Sequence, residues 1–393
     1  MVKKIDFNDT QTAFAYKSTG ELRKADFLFT VIRHPAASSF ATALLKMARA
    51  LRLPVDPAVR ATVFSQFCGG ETIEEADAVI KKLYKNQVKT ILDFSAEGSK
   101  DEKSFDETAL EIEKIIAHAA ARKEIPFAVL KPSGIASFDI LAKLHVGEAL
   151  TENENVRWEN ARRRMENICA CAHRCDIPVL IDAEHSWIQK PTDECVVSMM
   201  KKFNREKAIV FNTYQLYLAD KLEGLKEAHR QAKQDGYWLG AKIVRGAYME
   251  IEKARAEKSG YKNPVCSSKE ATDKNYNSAL DYCIENIHSI SLISCTHNEE
   301  SNRHLINLSP HISSDDPRLW FAQLLGMSDH ISFNLAKAGF NVAKYVPYGK
   351  IKEVMPYLIR RANENTSAAG QAPRELTLIR KELKRRSAPM KNK

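Results

Sequence analysis

The amino-acid sequence predicts an α/β fold, a (β/α)8 barrel of the TIM type preceded by an N-terminal helical arm. Two observations lead there. Eight short apolar runs rich in β-branched residues alternate with longer amphipathic stretches, the pattern of parallel β/α units. The first run leads into Phe94-Ser95-Ala96-Glu97-Gly98. That is not the Gly-rich phosphate loop of a doubly wound sheet, so closure into a barrel is expected.

The arm covers residues 1–88. Apolar residues recur at helical spacing over Ala36–Leu51 and again over Thr72–Tyr84, and Pro54 and Pro57 break the chain between them. The arm is read as helices packed on the barrel rather than as an independent domain. The barrel is expected over residues 89–370. Its strands are placed at Thr90–Phe94, Phe127–Lys131, Val179–Ala183, Ala208–Asn212, Gly240–Val244, Ser291–Thr296, Leu319–Gln323 and Val342–Val346. Between them fall helical stretches such as Phe105–Arg122, Glu159–Cys175, Asp193–Phe203 and Leu216–Asp235. Residues 371–393 form a basic tail, read as a solvated, partly frayed end.

With 393 residues, 44% of them hydrophobic and 28% charged, the composition is that of a soluble globular protein. No run of about 18 uncharged apolar residues exists, so no membrane-spanning helix is expected. Met1–Thr10 has no apolar signal core and carries Asp6 and Asp9, which argues against a transit peptide. The expected location is cytoplasmic. Much of the formal charge of +9 sits in the tail, on residues such as Arg374, Arg380, Lys381, Lys384, Arg385 and Arg386. Such a cluster is drawn to anionic surfaces, which adds a peripheral contact at the inner membrane to the expectation. No aromatic stacking pattern accompanies the charge, so nucleic acid is not an expected partner. Cys169, Cys171, His173 and Cys175 resemble metal ligands in spacing. On a helix, however, the pairs 169/173 and 171/175 face different ways, and no metal is expected.

Barrel enzymes place their chemistry at the carboxyl ends of the strands. Lys131 closes the second expected strand and Asp182 nearly closes the third. Asn212 ends the fourth, with Gln215 after it. Arg245 ends the fifth, Thr296-His297 the sixth, and Tyr345 lies near the end of the eighth. The fifth run is the most informative, since Lys242-Ile243-Val244-Arg245-Gly246-Ala247-Tyr248 passes from buried apolar residues to a cation and a glycine. Gly246 would let a ligand approach the backbone. After the last strand, Arg360 and Arg361 stand about 100° apart on a helix, so both can reach one carboxylate. Glu364 and Asn365 follow them at i,i+4, and Tyr357 shares the face of Arg361.

The motifs Lys242–Tyr248 and Tyr357-Leu358-Ile359-Arg360-Arg361-Ala362-Asn363-Glu364-Asn365 resemble the proline dehydrogenases, whose patterns read R/K-L-V-K/R-G-A-Y and Y-L-x-R-R-x-x-E-N. Ile181-Asp182-Ala183-Glu184-His185, Thr296-His297-Asn298 and Gln323–Met327 match as well, and the likeness runs from Thr90 to Ser367. Lysine at 242 with arginine at 245 is closer to the eukaryotic-type branch. The resemblance implies a distorted barrel that binds FAD, oxidises L-proline to Δ1-pyrroline-5-carboxylate, and passes electrons to a quinone. It implies a flavin site of Ala183, Gln215, Lys242, Arg245, Gly246, Ala247, Thr296 and His297. It implies a substrate site of Lys131, Tyr345, Arg360, Arg361, Glu364 and Leu324. Asp182, Lys242 and Lys131 would be the catalytic set, with Asp182 an orienting carboxylate on the Lys131 side of the pocket. Lysine at 242, where many bacterial members carry arginine, lacks the planar fork and would contact the cofactor more weakly or indirectly. Two other readings stand beside this one. A hydroxyproline dehydrogenase is disfavoured by the bulk of Tyr345, and a Schiff-base aldolase would use Lys131 or Lys242.

Overall fold

The computed structural model describes residues 5–34, 56–94, 101–366 and 372–388, with side chains in the helix Ile351–Thr366 described through residue 361. The expected helix Ala36–Leu51 lies outside the described residues, as does the segment from residue 95 to 100. Eight strands follow one another around a closed barrel: β1 (Lys89–Phe94), β2 (Phe127–Leu130), β3 (Val179–Ile181), β4 (Val210–Gln215), β5 (Leu239–Val244), β6 (Ile290–Cys295), β7 (Leu319–Leu324) and β8 (Val342–Tyr348). Pairing is parallel, with Ile91 opposite Phe127, Ala128 opposite Val179, Phe211 opposite Gly240 and Leu292 opposite Leu319. Strands buried on both faces read as near-continuous apolar runs, which is why the sequence shows them so clearly.

The chain forms two compact units, Ile91–Ala322 in one and Lys3–Thr90 with Gln323–Lys393 in the other. In the first, aromatic rings fill the space at the amino ends of the strands. Phe127 meets Trp320 edge-on at 4.9 Å and Phe211 at 6.0 Å. The polar residues therefore collect at the opposite ends.

Element boundaries shift from expectation by up to several residues, and three of the differences bear on the site. β4 begins two residues later than predicted and ends at Gln215, so Asn212 is a buried residue inside the strand, donating to Asp193 at 2.9 Å. The helix expected from Leu216 starts at Lys221. The cause is a continued ladder, since the amides of Leu216 and Tyr217 donate to the carbonyls of Val244 and Arg245 at 2.9 and 2.8 Å. Tyr345 is the fourth residue of the seven in β8 rather than near its end.

In the second unit the helix Thr19–Arg33 opens on a Ser18–Glu21 capping box and packs on the helix Ala372–Ser387. Leu22, Phe29, Phe67, Leu358, Leu376 and Ile379 belong to one buried cluster. The basic tail is thus a helix with a buried apolar stripe, not a frayed end. Several of its cations are engaged. Arg380 bonds Asp26 at 2.7 Å, Arg386 donates to the Phe14 and Lys17 carbonyls at 2.8 Å, and Arg385 and Arg386 both pair with the buried Glu382. Cys169, Cys171 and Cys175 lie on the helix Glu152–Cys175, where burial pushes the Cys169 thiol well above its usual range. Among the described residues no helix is long and apolar enough to cross a membrane.

Candidate active site

In the first unit the strand ends carry two ammonium–carboxylate pairs. Lys242 is 4% exposed, and its Nζ donates to Asp182 Oδ1 at 2.5 Å. Lys131, directly after β2, donates to Asp93 of β1. This corrects the expected arrangement, because Asp182 holds Lys242 while Asp93 holds the Lys131 side. A buried charge is stable only when paired and hydrogen-bonded, so each lysine needs its own carboxylate. Asp93 was legible in principle as the lone acid in Thr90-Ile91-Leu92-Asp93-Phe94. Cys295, at the end of β6, lies within electrostatic reach of Lys242 and Asp182. Burial pushes its thiol up to about 12, Lys242 opposing and Asp182 reinforcing.

Arg245, directly after β5, ties several loops together. Its Nε and Nη2 donate to Asp273 Oδ1 at 2.9 and 2.7 Å, Nη1 to Thr296 Oγ1 at 2.5 Å, and Nη2 to Ser301 Oγ at 2.9 Å. The guanidinium also sits over the Tyr276 ring at 4.4 Å. Burial raises the Asp273 carboxyl, but hydrogen bonds from Lys269 and Arg245 outweigh it and hold the group below its usual range. Gln215 donates to the Glu184 carbonyl at 2.7 Å, and Glu184 accepts from the Ser133 amide and hydroxyl at 2.8 and 2.7 Å. The loops after β2, β3 and β4 are joined in this way. His185 stacks on Trp187 at 4.4 Å, and the Tyr248 ring lies 4.4 Å from His185, tilted by 50°.

The sequence places Gly246 where a ligand would approach the backbone. It has φ +127°, and a Cβ there would lie 1.6 Å from Tyr217 Cε1. The space beside its α-carbon is filled by the Tyr217 ring, so packing alone already requires glycine. Ala183 and His297 are half-buried, Ala247 is exposed, and Thr296 is buried.

The other predicted residues belong to the second unit. Leu324 ends β7, and the Leu325 amide donates to the Tyr345 carbonyl at 2.8 Å. Tyr345 is buried. On the helix Ile351–Thr366, Arg361 is buried and Arg360 half-buried. The Arg361 guanidinium lies 5.3 Å from the Tyr357 ring centre, which bears out the shared face. The side chains of Glu364 and Asn365 lie outside the described residues.

A closed parallel barrel with buried, paired cations at the carboxyl ends of its strands defines an enzyme whose chemistry sits at that rim. Residues 76–374 match the family model described as Proline dehydrogenase, and the chain belongs to that family of oxidoreductases. It is 33% identical over 437 aligned residues to proline dehydrogenase 1, mitochondrial, of Dictyostelium discoideum, covering 98% of this chain and 75% of that protein. It is 36% identical to the carbapenem antibiotics biosynthesis protein CarD of Pectobacterium carotovorum, covering 82% of this chain and 84% of the relative. It is 29% identical to the hydroxyproline dehydrogenase of Xenopus laevis, covering 95% and 88%. The proline utilization A protein of Bdellovibrio bacteriovorus superposes with a TM-score of 0.73 at 21% identity, over 98% of this chain. That likeness speaks for the fold, and the chain spans only 41% of the solved protein.

Proposed function

We propose that this chain oxidises L-proline to Δ1-pyrroline-5-carboxylate with FAD as cofactor, the first step of proline catabolism, and that the electrons pass to a quinone. The observation that supports this most is Arg361, a buried guanidinium set against Tyr357 beside Arg360, in a chain of the proline dehydrogenase family. The donor set of the first unit suits a flavin. A polar ring system and a pyrophosphate call for cations, amides and hydroxyls. Lys242, Arg245, Gln215 and Thr296 supply them, and Ala183, Gly246, Ala247 and His297 line the same loops. When bound, the flavin supplies the acceptor for the hydride leaving the ring carbon next to nitrogen.

The chain's own residues bind and orient. Arg360 and Arg361 take the carboxylate, Glu364 the amine, and Tyr345 and Leu324 border the ring. Asp182 fixes the Lys242 ammonium, and Asp93 fixes that of Lys131. Both ammonium groups are already donated to carboxylates, so neither stands ready as a Schiff-base nucleophile. The Tyr345 phenol favours proline over 4-hydroxyproline, because a buried aromatic beside the ring leaves little room for a hydroxyl. A cytoplasmic protein with peripheral contact at the inner membrane completes the reading, resting on the exposed basic residues Lys381, Lys384 and Arg385. The test is turnover of L-proline and trans-4-hydroxy-L-proline with a quinone acceptor, the product trapped by o-aminobenzaldehyde. Proline should be preferred; a preference for the hydroxylated ring would transfer the chain to the other activity.

A further inference from the structure

Lys344, in β8, is completely buried, and its ammonium faces one turn of chain. Its Nζ donates to the carbonyls of Leu324 at 3.2 Å and Met327 at 2.7 Å, and meets Asp329 Oδ1 at 2.9 Å. The other oxygen of Asp329 accepts from Tyr16 at 2.7 Å and pairs with Lys17 at 3.0 Å. The turn between Leu324 and Asp329 is held at its remaining points too. Gln66 donates to the Gly326 carbonyl at 2.8 Å, and Gly326 has φ +78°, with Gln66 O only 2.1 Å from where a Cβ would stand. Ser328 is a non-glycine residue at φ +52°, and its amide donates to the buried Glu375 of the C-terminal helix. Ser332 donates to Gln323 at 2.7 Å.

A desolvated ammonium costs several kcal/mol unless its partners are fixed, and an apolar side chain of similar volume is often as stabilising. Stability alone therefore does not account for a lysine here. What the lysine does is fix the Leu324 carbonyl on β7 from the residue next to Tyr345 on β8, while the Leu325 amide bonds the Tyr345 carbonyl. We propose that Lys344 is a positioning residue that sets Leu324 and Tyr345, the two walls of the substrate ring pocket. Asp329, Tyr16, Lys17 and Glu375 hold it in place from both ends of the chain. This rests on the assignment of Leu324 and Tyr345 to the proline ring.

Lys344→Met removes the clamp at nearly constant volume, and Tyr16→Phe removes one hydrogen bond from Asp329 and leaves the fold intact. Both full-length proteins, loaded with flavin, are compared with the native chain for KM, kcat and the ratio of L-proline to trans-4-hydroxy-L-proline turnover. Lys344→Met should raise KM for proline about tenfold or more, with a smaller change in kcat and an altered substrate ratio. Tyr16→Phe should shift both in the same direction by roughly two- to threefold. A lowered melting temperature with KM and ratio unchanged in either folded variant would make the network merely structural and overturn the proposal. If Lys344→Met does not fold, Tyr16→Phe decides alone. A native chain that fails to turn over proline would sink the functional reading instead, so the two failures are told apart by the control.

Discussion

Arg361 is a buried guanidinium on the face it shares with Tyr357, and in the proposed function its worth lies in charge-assisted hydrogen bonds to a substrate carboxylate. Two such bonds contribute about 3–5 kcal/mol, so Arg361→Met should raise KM for proline by about 10²-fold or more while flavin absorbance per protein stays as in the native chain. Loss of flavin with KM unchanged would show that this arginine serves the cofactor. A second residue-level effect lies away from the site. His229 is buried between Tyr282 and Ser289, at 2.8 Å from each. Burial first, then the nearby Lys233 and His288, lower its imidazole from 6.5 to about 4. The folded state resists a proton that the unfolded state accepts below about 6.5. Stability is therefore fully present above that pH and is lost as pH falls towards 4, by roughly 1–3 kcal/mol. His229→Gln should flatten the denaturant midpoint across this window; an equally steep acid loss in the variant would assign the effect to other groups. Residue identities at the strand ends were readable in the sequence because strand ends are where barrels place polar groups. Pairings were not, since Asp93 meets Lys131 from the neighbouring strand whereas Asp182, after β3, reaches past β4 to Lys242 in β5, and a single chain shows neither arrangement.

At the scale of elements, all eight strands were legible because burial on both faces leaves little but apolar, β-branched residues. Their ends were less so. Leu216-Tyr217-Leu218 is apolar enough to start a helix, yet the backbone bonds to Val244 and Arg245 carry it along β5, and this brings the Tyr217 ring against Gly246. The C-terminal helix was hidden by its charge. Counted as composition it is a basic tail, but Ala372, Leu376 and Ile379 recur at helical spacing and are buried, while Arg380 and Arg386 reach acceptors on the N-terminal segment. Ile379→Ala should thus cost roughly 2–5 kcal/mol and lower the melting temperature by several degrees, as a core truncation does. A change within experimental error would return the segment to the status of a solvated tail.

For the whole molecule, the residues implied for the cofactor all fall in Ile91–Ala322, and those implied for the substrate, Lys131 excepted, fall in Gln323–Lys393. The first group is organised by ion pairs that join strands and loops across the barrel. The second is organised by Lys344, Asp329 and Glu375, buried charges that the sequence conceals because each sits in an otherwise apolar or helical context. The motifs carried the family, and the fold carried the place of the chemistry. The partners of each charged group came only from the three-dimensional arrangement. In the proposed function, proline reduces a flavin held by this chain. That reduction is tested most directly by the visible spectrum of the purified protein under anaerobic conditions. A yellow protein whose flavin band bleaches on addition of L-proline is the predicted result; a protein that stays colourless and inactive after reconstitution with FAD would contradict it.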